Sequence, residues 1–208
     1  MLEAFWEALV ALFVTVDPLG LVPIFVALTS GASTRERMQL ARRAVLLAGV
    51  VLGCFALVGE AALRWLGISM PAFRVAGGLF LFLLALEMVF ERRGQRREGT
   101  AELLAEERAG SDIAVFPLGI PLIAGPAAIT TTLLLADRLG SAPHGRFALV
   151  LAQLAVLAAT WLALAAGARL ARFLGPTLIA VLSRLLGLLL GALAAQYLLD
   201  GLRAIFGT

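Results

Sequence analysis

Six runs of mainly apolar residues, near 4–28, 41–64, 72–90, 113–136, 147–171 and 180–206, leave this 208-residue chain few ways to fold. About 20 such residues in an α-helix cross a hydrocarbon layer roughly 30 Å thick. Inside lipid every backbone N–H and C=O must find its partner within the protein, which restricts spanning structures to helices and closed barrels. Runs of this length, without two-residue alternation, select the helix. Hydrophobic residues make up 61% and charged residues 15%, against roughly 45–50% and about 25% in soluble domains. The sequence therefore predicts one all-α transmembrane domain over residues 1–208, with six spanning helices.

The rest of the composition narrows function mainly by exclusion. The net charge of +3 does not point to nucleic acid, because the arginines sit beside the apolar runs, where they fix orientation in the bilayer. Cys54 is the single cysteine and cannot form an intrachain disulfide. His144 is the single histidine, so an HExxH metal site is excluded, and neither a metal nor a cofactor is expected. There is no lysine, so there is no Walker motif and no ATP-driven transport by this chain alone. No Ser/His pair or acid pair lies deep in a run, and an enzyme is the weakest functional class. Glu3 and Glu7 replace the basic segment of a signal peptide, so the first span is expected to be retained.

Between the first two runs, Ser33-Thr-Arg-Glu36 reads as a capping box that starts the second helix before the membrane boundary. The longest connection, about 91–112, is rich in Glu and Arg, with Gly94, Gly99 and Gly110 as breakers. It reads as a solvated loop or short surface helix and is assigned no chemistry. Twelve arginines flank the loops after spans 1, 3 and 5, against five on the other side. That bias predicts the first side as cytoplasmic and both termini as extracytoplasmic.

Two of the six runs are broken internally by prolines. Pro18-Leu-Gly-Leu-Val-Pro23 interrupts the first and Pro121-Leu-Ile-Ala-Gly-Pro126 the fourth, and both prolines recur at an offset of 103 residues. Arg74-Val-Ala-Gly77 and Arg184-Leu-Leu-Gly187 form a further pair, 110 residues apart. This predicts a 3+3 inverted repeat, with one half at about 1–90 and the other at about 113–208. Paired breaks in matching halves point to a transporter binding site near the bilayer midplane.

Asp17-Pro-Leu-Gly-Leu-Val-Pro23-Ile-Phe25, Phe73-Arg-Val-Ala-Gly-Gly78, Phe116-Pro-Leu-Gly-Ile-Pro121-Leu-Ile-Ala-Gly-Pro126, Ser183-Arg-Leu-Leu-Gly187 and Gln196-Tyr-Leu-Leu-Asp-Gly201 together resemble the MarC family, which includes the SnatA neutral amino-acid transporters. The resemblance covers essentially the whole chain. It implies a multi-pass protein of the bacterial or archaeal cytoplasmic (inner) membrane, with discontinuous helices 1 and 4. For SnatA-like members it implies transport of glycine, alanine and similar amino acids, coupled to protons. Leu21 and Ala127 stand where the family often carries asparagine and glycine or a hydroxyl residue, so an amide is missing beside the first break.

At 1.5 Å per residue, Asp17 lies roughly 20 Å into the layer and is the one carboxylate placed deep. An ionisable group at that depth marks a functional site, here a proton-coupling one, by default. Asp17 is equally a good N-cap with Pro18 at the first helical position, and the two roles are compatible. At the second break, Gly125-Pro126 suits the start of a half-helix whose free N–H groups at Ala127, Ala128 and Ile129 would receive a carboxylate. The same logic at Pro23 offers Ile24 and Phe25. Thr130, Thr131 and Thr132 either line the cavity or back-bond to their own helix, the latter favoured for two of them. Gln196 either joins helices or lines the cavity. Gly187 and Gly191 read as a contact between spans, and Arg74 and Arg184 as interfacial anchors that snorkel.

The candidate substrate-binding set is Asp17, Gly20, Pro23, Ile24, Gly125, Pro126, Ala127, Ala128, Thr130 and Gln196, with Asp17 also carrying the coupling proton. The leading reading is a secondary transporter of a small neutral amino acid. Its partners would be the lipid bilayer and a coupling ion, with the proton favoured and sodium left open. Homo-oligomerisation stays open as well. The alternatives are an exporter or channel for another small metabolite or ion, and a non-transport membrane scaffold.

Overall fold

A computed structural model describes residues 1–93, 96, 99, 114–140 and 144–207. Every described element is helical: α1 (Leu2–Val16), α2 (Pro18–Leu28), α3 (Thr34–Trp65), α4 (Met70–Val89), a π-helical segment (Ala114–Ile123), α5 (Pro126–Gly140), α6 (Gly145–Ala165) and α7 (Gly167–Phe206). Five stretches are long and apolar enough to cross a bilayer: α1 with α2, α3, α4, α6, and Thr177–Phe206 of α7. A sixth is the pair Pro117–Ile123 and α5, bent by 53°. The apolar runs therefore sit on the elements expected of them. The expectation of a loop or surface helix at 91–112 falls largely outside the described residues.

Local chemistry fixes the helix ends. At α3 the backbone N–H of Ser33 donates to Glu36 Oε2 at 2.7 Å, and the Glu36 N–H donates back to Ser33 Oγ at 3.3 Å, completing the capping box. The connection expected between spans 5 and 6 is shorter than the sequence suggested. Span 5 ends at Ala165 rather than near 171, and α7 then runs for 40 residues with one break at Gly175 (φ 61°, ψ 160°). Gly175 precedes Pro176, and a residue before proline is driven out of the helical region. A positive φ there further selects glycine.

The apolar side chains pack into two joined clusters. The larger gathers α1, α2, α3, the π-helical segment, α5 and α6. The smaller joins α4 and α7 to Val14 and to Ala127 and Leu134 of α5. Helices in lipid gain little from hydrophobic exclusion, so they associate through close packing at small residues. The α4–α7 pair, the most extensive helix contact, shows this directly. A Cβ on Gly78 would stand 2.8 Å from the Leu198 nitrogen and 2.9 Å from the Ala194 carbonyl oxygen. One on Gly187 would stand 2.8 Å from Met88 Cβ, so the Gly187/Gly191 face is a contact between spans.

Gly78→Ala is accordingly expected to cost about 1–3 kcal/mol, because its neighbours are backbone atoms that cannot rotate aside. Gly191→Ala, whose Cβ would sit 3.6 Å from Ala85 Cβ, is expected to be near neutral. Thermal unfolding of both variants in detergent checks the contrast.

Candidate functional site

The first break is built on Asp17. This residue ends α1 and caps α2 in the left-handed region (φ 55°, ψ 67°), which aspartate tolerates better than most residues. Its N–H donates to Phe13 O at 2.9 Å, and its carbonyl accepts from Leu21 N at 3.2 Å. Its Oδ1 accepts from Gly20 N at 3.1 Å. Gly20 is required for this cap, since a Cβ there would run into the Asp17 carboxylate. The half-helix thus begins at Pro18, the first helical position, where no N–H is needed. This corrects the reading of Pro23 as a helix start. Pro23 lies inside α2, so Ile24 and Phe25 are interior helical residues, 3% and 1% exposed, and offer no open N-terminus.

Nothing in the residues around this break marks what meets its other side. The last turn of α1 has carbonyls without helical donors and carries the negative end of the helix dipole. Arg93, read from sequence as one more loop arginine, fills that position and is 4% exposed. Its Nη1 donates to Val14 O at 3.2 Å and its Nη2 to Thr15 O at 2.5 Å. The same Nη1 lies 3.9 Å from Asp17 Oδ2. Asp17, itself 4% exposed, is thus held between the N–H of Gly20 and the Arg93 guanidinium.

The second break has a different construction. Pro117 and Pro121 lack N–H groups four residues apart, which denies the segment a regular ladder. It winds as a wide π-helix, with Ala124 N–H donating five residues back to Gly119 O at 3.0 Å. The chain then turns through 53° into α5, which starts at Pro126 as expected. The first α-helical bond joins Ile129 N–H to Gly125 O at 3.0 Å. Ile129 is therefore not a free donor, and the open N–H groups of the first turn belong to Ala127 and Ala128. Gly125 sits so close to the Pro121 carbonyl oxygen that a Cβ would overlap it.

Both breaks border one cavity of about 230 Å³. Thr15 and Arg93 line it from the first break, and Pro121, Leu122, Ile123, Gly125, Pro126, Ala127 and Ala128 from the second. Phe80 and Leu84 of α4 close an apolar side, and Arg96 stands at the edge, ion-paired to Glu87 at 2.6 Å. The cavity is smaller than the roughly 300–1,000 Å³ of drug-sized sites. Its polar wall combines a helix N-terminus with two guanidinium groups, a combination that favours an anionic group.

Of the candidate residues, Gly125, Pro126, Ala127 and Ala128 line this cavity. Asp17 does not line it and faces it only through Arg93. Gly20, Pro23 and Ile24 belong to α2 away from the lining. Thr130 turns its methyl toward Gly77 of α4. Thr132 back-bonds to Ala128 O at 2.8 Å, and the buried Thr131 hydroxyl has no partner among the described residues. Gln196 is exposed and donates to Asp200 at 2.7 Å along its own helix.

Arg74 and Arg184 are more than snorkelling anchors. Arg74 pairs with Asp137 at 2.6 Å and Arg184 with Glu91 at 2.7 Å. Beside the first pair, Arg138 bonds Glu7 at 3.1 Å and stacks 5.9 Å from the centroid of the buried Tyr197 ring. These contacts tie α1, α4, α5 and α7 together at the end of the bundle that holds the N-terminus.

Comparison with known proteins adds relatives but no chemistry. Residues 2–206 match the family described as "MarC family integral membrane protein". A UPF0056 membrane protein of Methanocaldococcus jannaschii is 36% identical over 203 residues, covering 97% of each chain. The UPF0056 membrane protein YvbG of Bacillus subtilis is 34% identical, covering 95% of this chain and 93% of its own. YhcE of Escherichia coli, another of that group, is 30% identical, covering 97% and 93%. Their names state a membrane protein and nothing further. No solved structure gives a significant match.

Proposed function

The chain belongs to the MarC family of integral membrane proteins, and from that premise we propose that it is a secondary transporter of small neutral amino acids, alternating access around the cavity between its two breaks. The observation that carries this reading is the shared cavity itself, about 230 Å³ and bordered by both breaks. Backbone that departs from helix at membrane depth is tolerated where it is buried in protein or lines a polar cavity. Two such departures facing one another are how secondary transporters build a midplane site.

In this reading the substrate carboxylate docks on the N–H groups of Ala127 and Ala128, with the Arg93 guanidinium completing the anion site. Carbonyls at the Pro121–Ile123 turn receive the ammonium. The short apolar side chain of glycine or alanine meets Phe80 and Leu84, and the cavity leaves no room for a large one. The lining's polar side chains are Thr15, Arg93 and Arg96.

Asp17 couples the proton through Arg93. The guanidinium is shared between Asp17 and the cavity, so neutralising Asp17 changes what Arg93 offers the substrate. The two halves, about 1–90 and 113–208, rock as an inverted repeat in the cytoplasmic membrane of a bacterial or archaeal cell. The paired prolines 103 residues apart support that division.

Labelled glycine or alanine should accumulate in proteoliposomes when a proton gradient is imposed. Asp17→Asn should abolish accumulation while leaving exchange across equal concentrations. Absence of uptake and exchange for every neutral amino acid would sink the assignment, and dependence on sodium instead would reassign the coupling ion. The cationic lining favours a second reading, a small organic anion, and thermal shifts against a panel of amino acids and carboxylates separate the two.

A further inference from the structure

A groove of about 620 Å³ runs along the outside of the bundle between α3 and α6 and shares no lining residue with the cavity just described. Gly49, Val50, Gly53 and Leu57 line it from α3, and Gln153 and Trp161 from α6. Its rims are exposed apolar side chains, Val50 at 70% and Leu57 at 81% among them. Gly49 and Gly53 form a small-x-x-x-small pair, and a Cβ on Gly53 would meet nothing within 4 Å, so the α3 backbone lies bare at that point.

Two polar groups in this groove lack partners among the described residues. Gln153 is 6% exposed and forms no hydrogen bond with the described residues. The Trp161 indole N–H, two turns along the same stripe, is buried and also has no acceptor among them. Gln153 is the ninth residue of the 21-residue α6, near the middle of the span. An unpaired amide at that depth is costly, because lipid supplies no donor or acceptor. An acyl chain filling the groove would cover its apolar wall and leave the amide unpaired.

We propose that the occupant is a second copy of this chain, in a symmetric dimer formed by the α3–α6 face. A two-fold axis along the membrane normal places each residue at the same depth as its counterpart. It brings the two Gln153 side chains together, and an amide is self-complementary, each NH₂ donating to the other's carbonyl oxygen. The bare backbone at Gly53 lets the two α3 helices approach, as small residues do in membrane dimers. This inference does not depend on the transport reading.

The test is cross-linking of the full chain in native membranes on a Cys54→Ala background, since Cys54 is exposed and the chain's single cysteine. Val50→Cys, on the groove rim, should cross-link into dimers with a short bis-maleimide. Leu83→Cys on α4, 54% exposed, should not. In a lipid-dilution series Gln153→Leu should weaken dimerisation about three- to twentyfold. Gly53→Leu should abolish it with monomer unfolding unchanged, since the groove floor there is open. Cross-linking at Val50→Cys no better than at Leu83→Cys would overturn the proposal. So would association indifferent to both groove substitutions, or a monomer that retains a bound lipid lost in Gly53→Leu.

Discussion

Arg93→Ala is expected to destabilise this protein by about 3–5 kcal/mol, the cost of breaking a buried ion pair from one side. The guanidinium donates to Val14 O and Thr15 O and lies 3.9 Å from the Asp17 carboxylate, with Arg93 and Asp17 each only 4% exposed. Its removal leaves the carbonyl end of α1 uncapped and a buried carboxylate with less than its full complement of donors. Arg93→Lys keeps the charge but not the two-pronged donor that spans both carbonyls, and should fall between. Asp17→Asn should restore part of the stability lost in Arg93→Ala, because it removes the buried negative charge that faced the lost guanidinium. The coupling between the two positions is read from a double-mutant cycle of thermal unfolding in detergent. Wild-type stability in Arg93→Ala, or strict additivity with Asp17→Asn, would refute this account of the break.

The bundle was legible in the sequence because lipid imposes one strong constraint, and run length together with apolar content reports it directly. Asp17-Pro18 also announced itself, since a carboxylate before proline is a cap wherever it occurs. Pro18 and Pro23 could not be told apart by type, as both suit a first helical position. The choice fell to the Asp17 side chain, which reaches Gly20 N and commits the helix to start at Pro18. Arg93 was invisible for a related reason. Arg92 and Arg93 adjoin in one charged segment, and nothing local says which turns back into the bundle. The end of α4 at Val89 and the left-handed turn at Glu91 (φ 60°) decide it, swinging Arg93 back onto the last turn of α1. The two glutamines show the same blindness within spans. Gln196 drew attention by its motif and satisfies itself with Asp200, while Gln153, in a featureless apolar run, is the one left without a partner among the described residues. Hydropathy sees both as polar interruptions and carries no information on which face meets a neighbour.

Gly125→Ala is expected to abolish transport, and comparison with Gly78→Ala separates that effect from mere loss of stability. Both substitutions drive a Cβ against backbone, the Pro121 carbonyl in one case and Leu198 and Ala194 in the other. Each should therefore cost about 1–3 kcal/mol. Their positions differ in what the forced movement displaces. At Gly78 the α4 and α7 helices separate slightly, on a face that does not line the cavity. At Gly125 the π-helical segment must pull away from the first turn of α5. That movement re-aims the N–H groups of Ala127 and Ala128, and with them the floor of the cavity. A misplacement of about 1 Å in a positioned site is worth on the order of a hundredfold in function. At a temperature where both variants remain folded, Gly78→Ala should keep the substrate-induced thermal shift and near-normal uptake, and Gly125→Ala should lose both. Equal loss in the two variants would mean that stability alone limits transport. Equal retention would mean that the junction of the π-helical segment and α5 is not where the substrate binds.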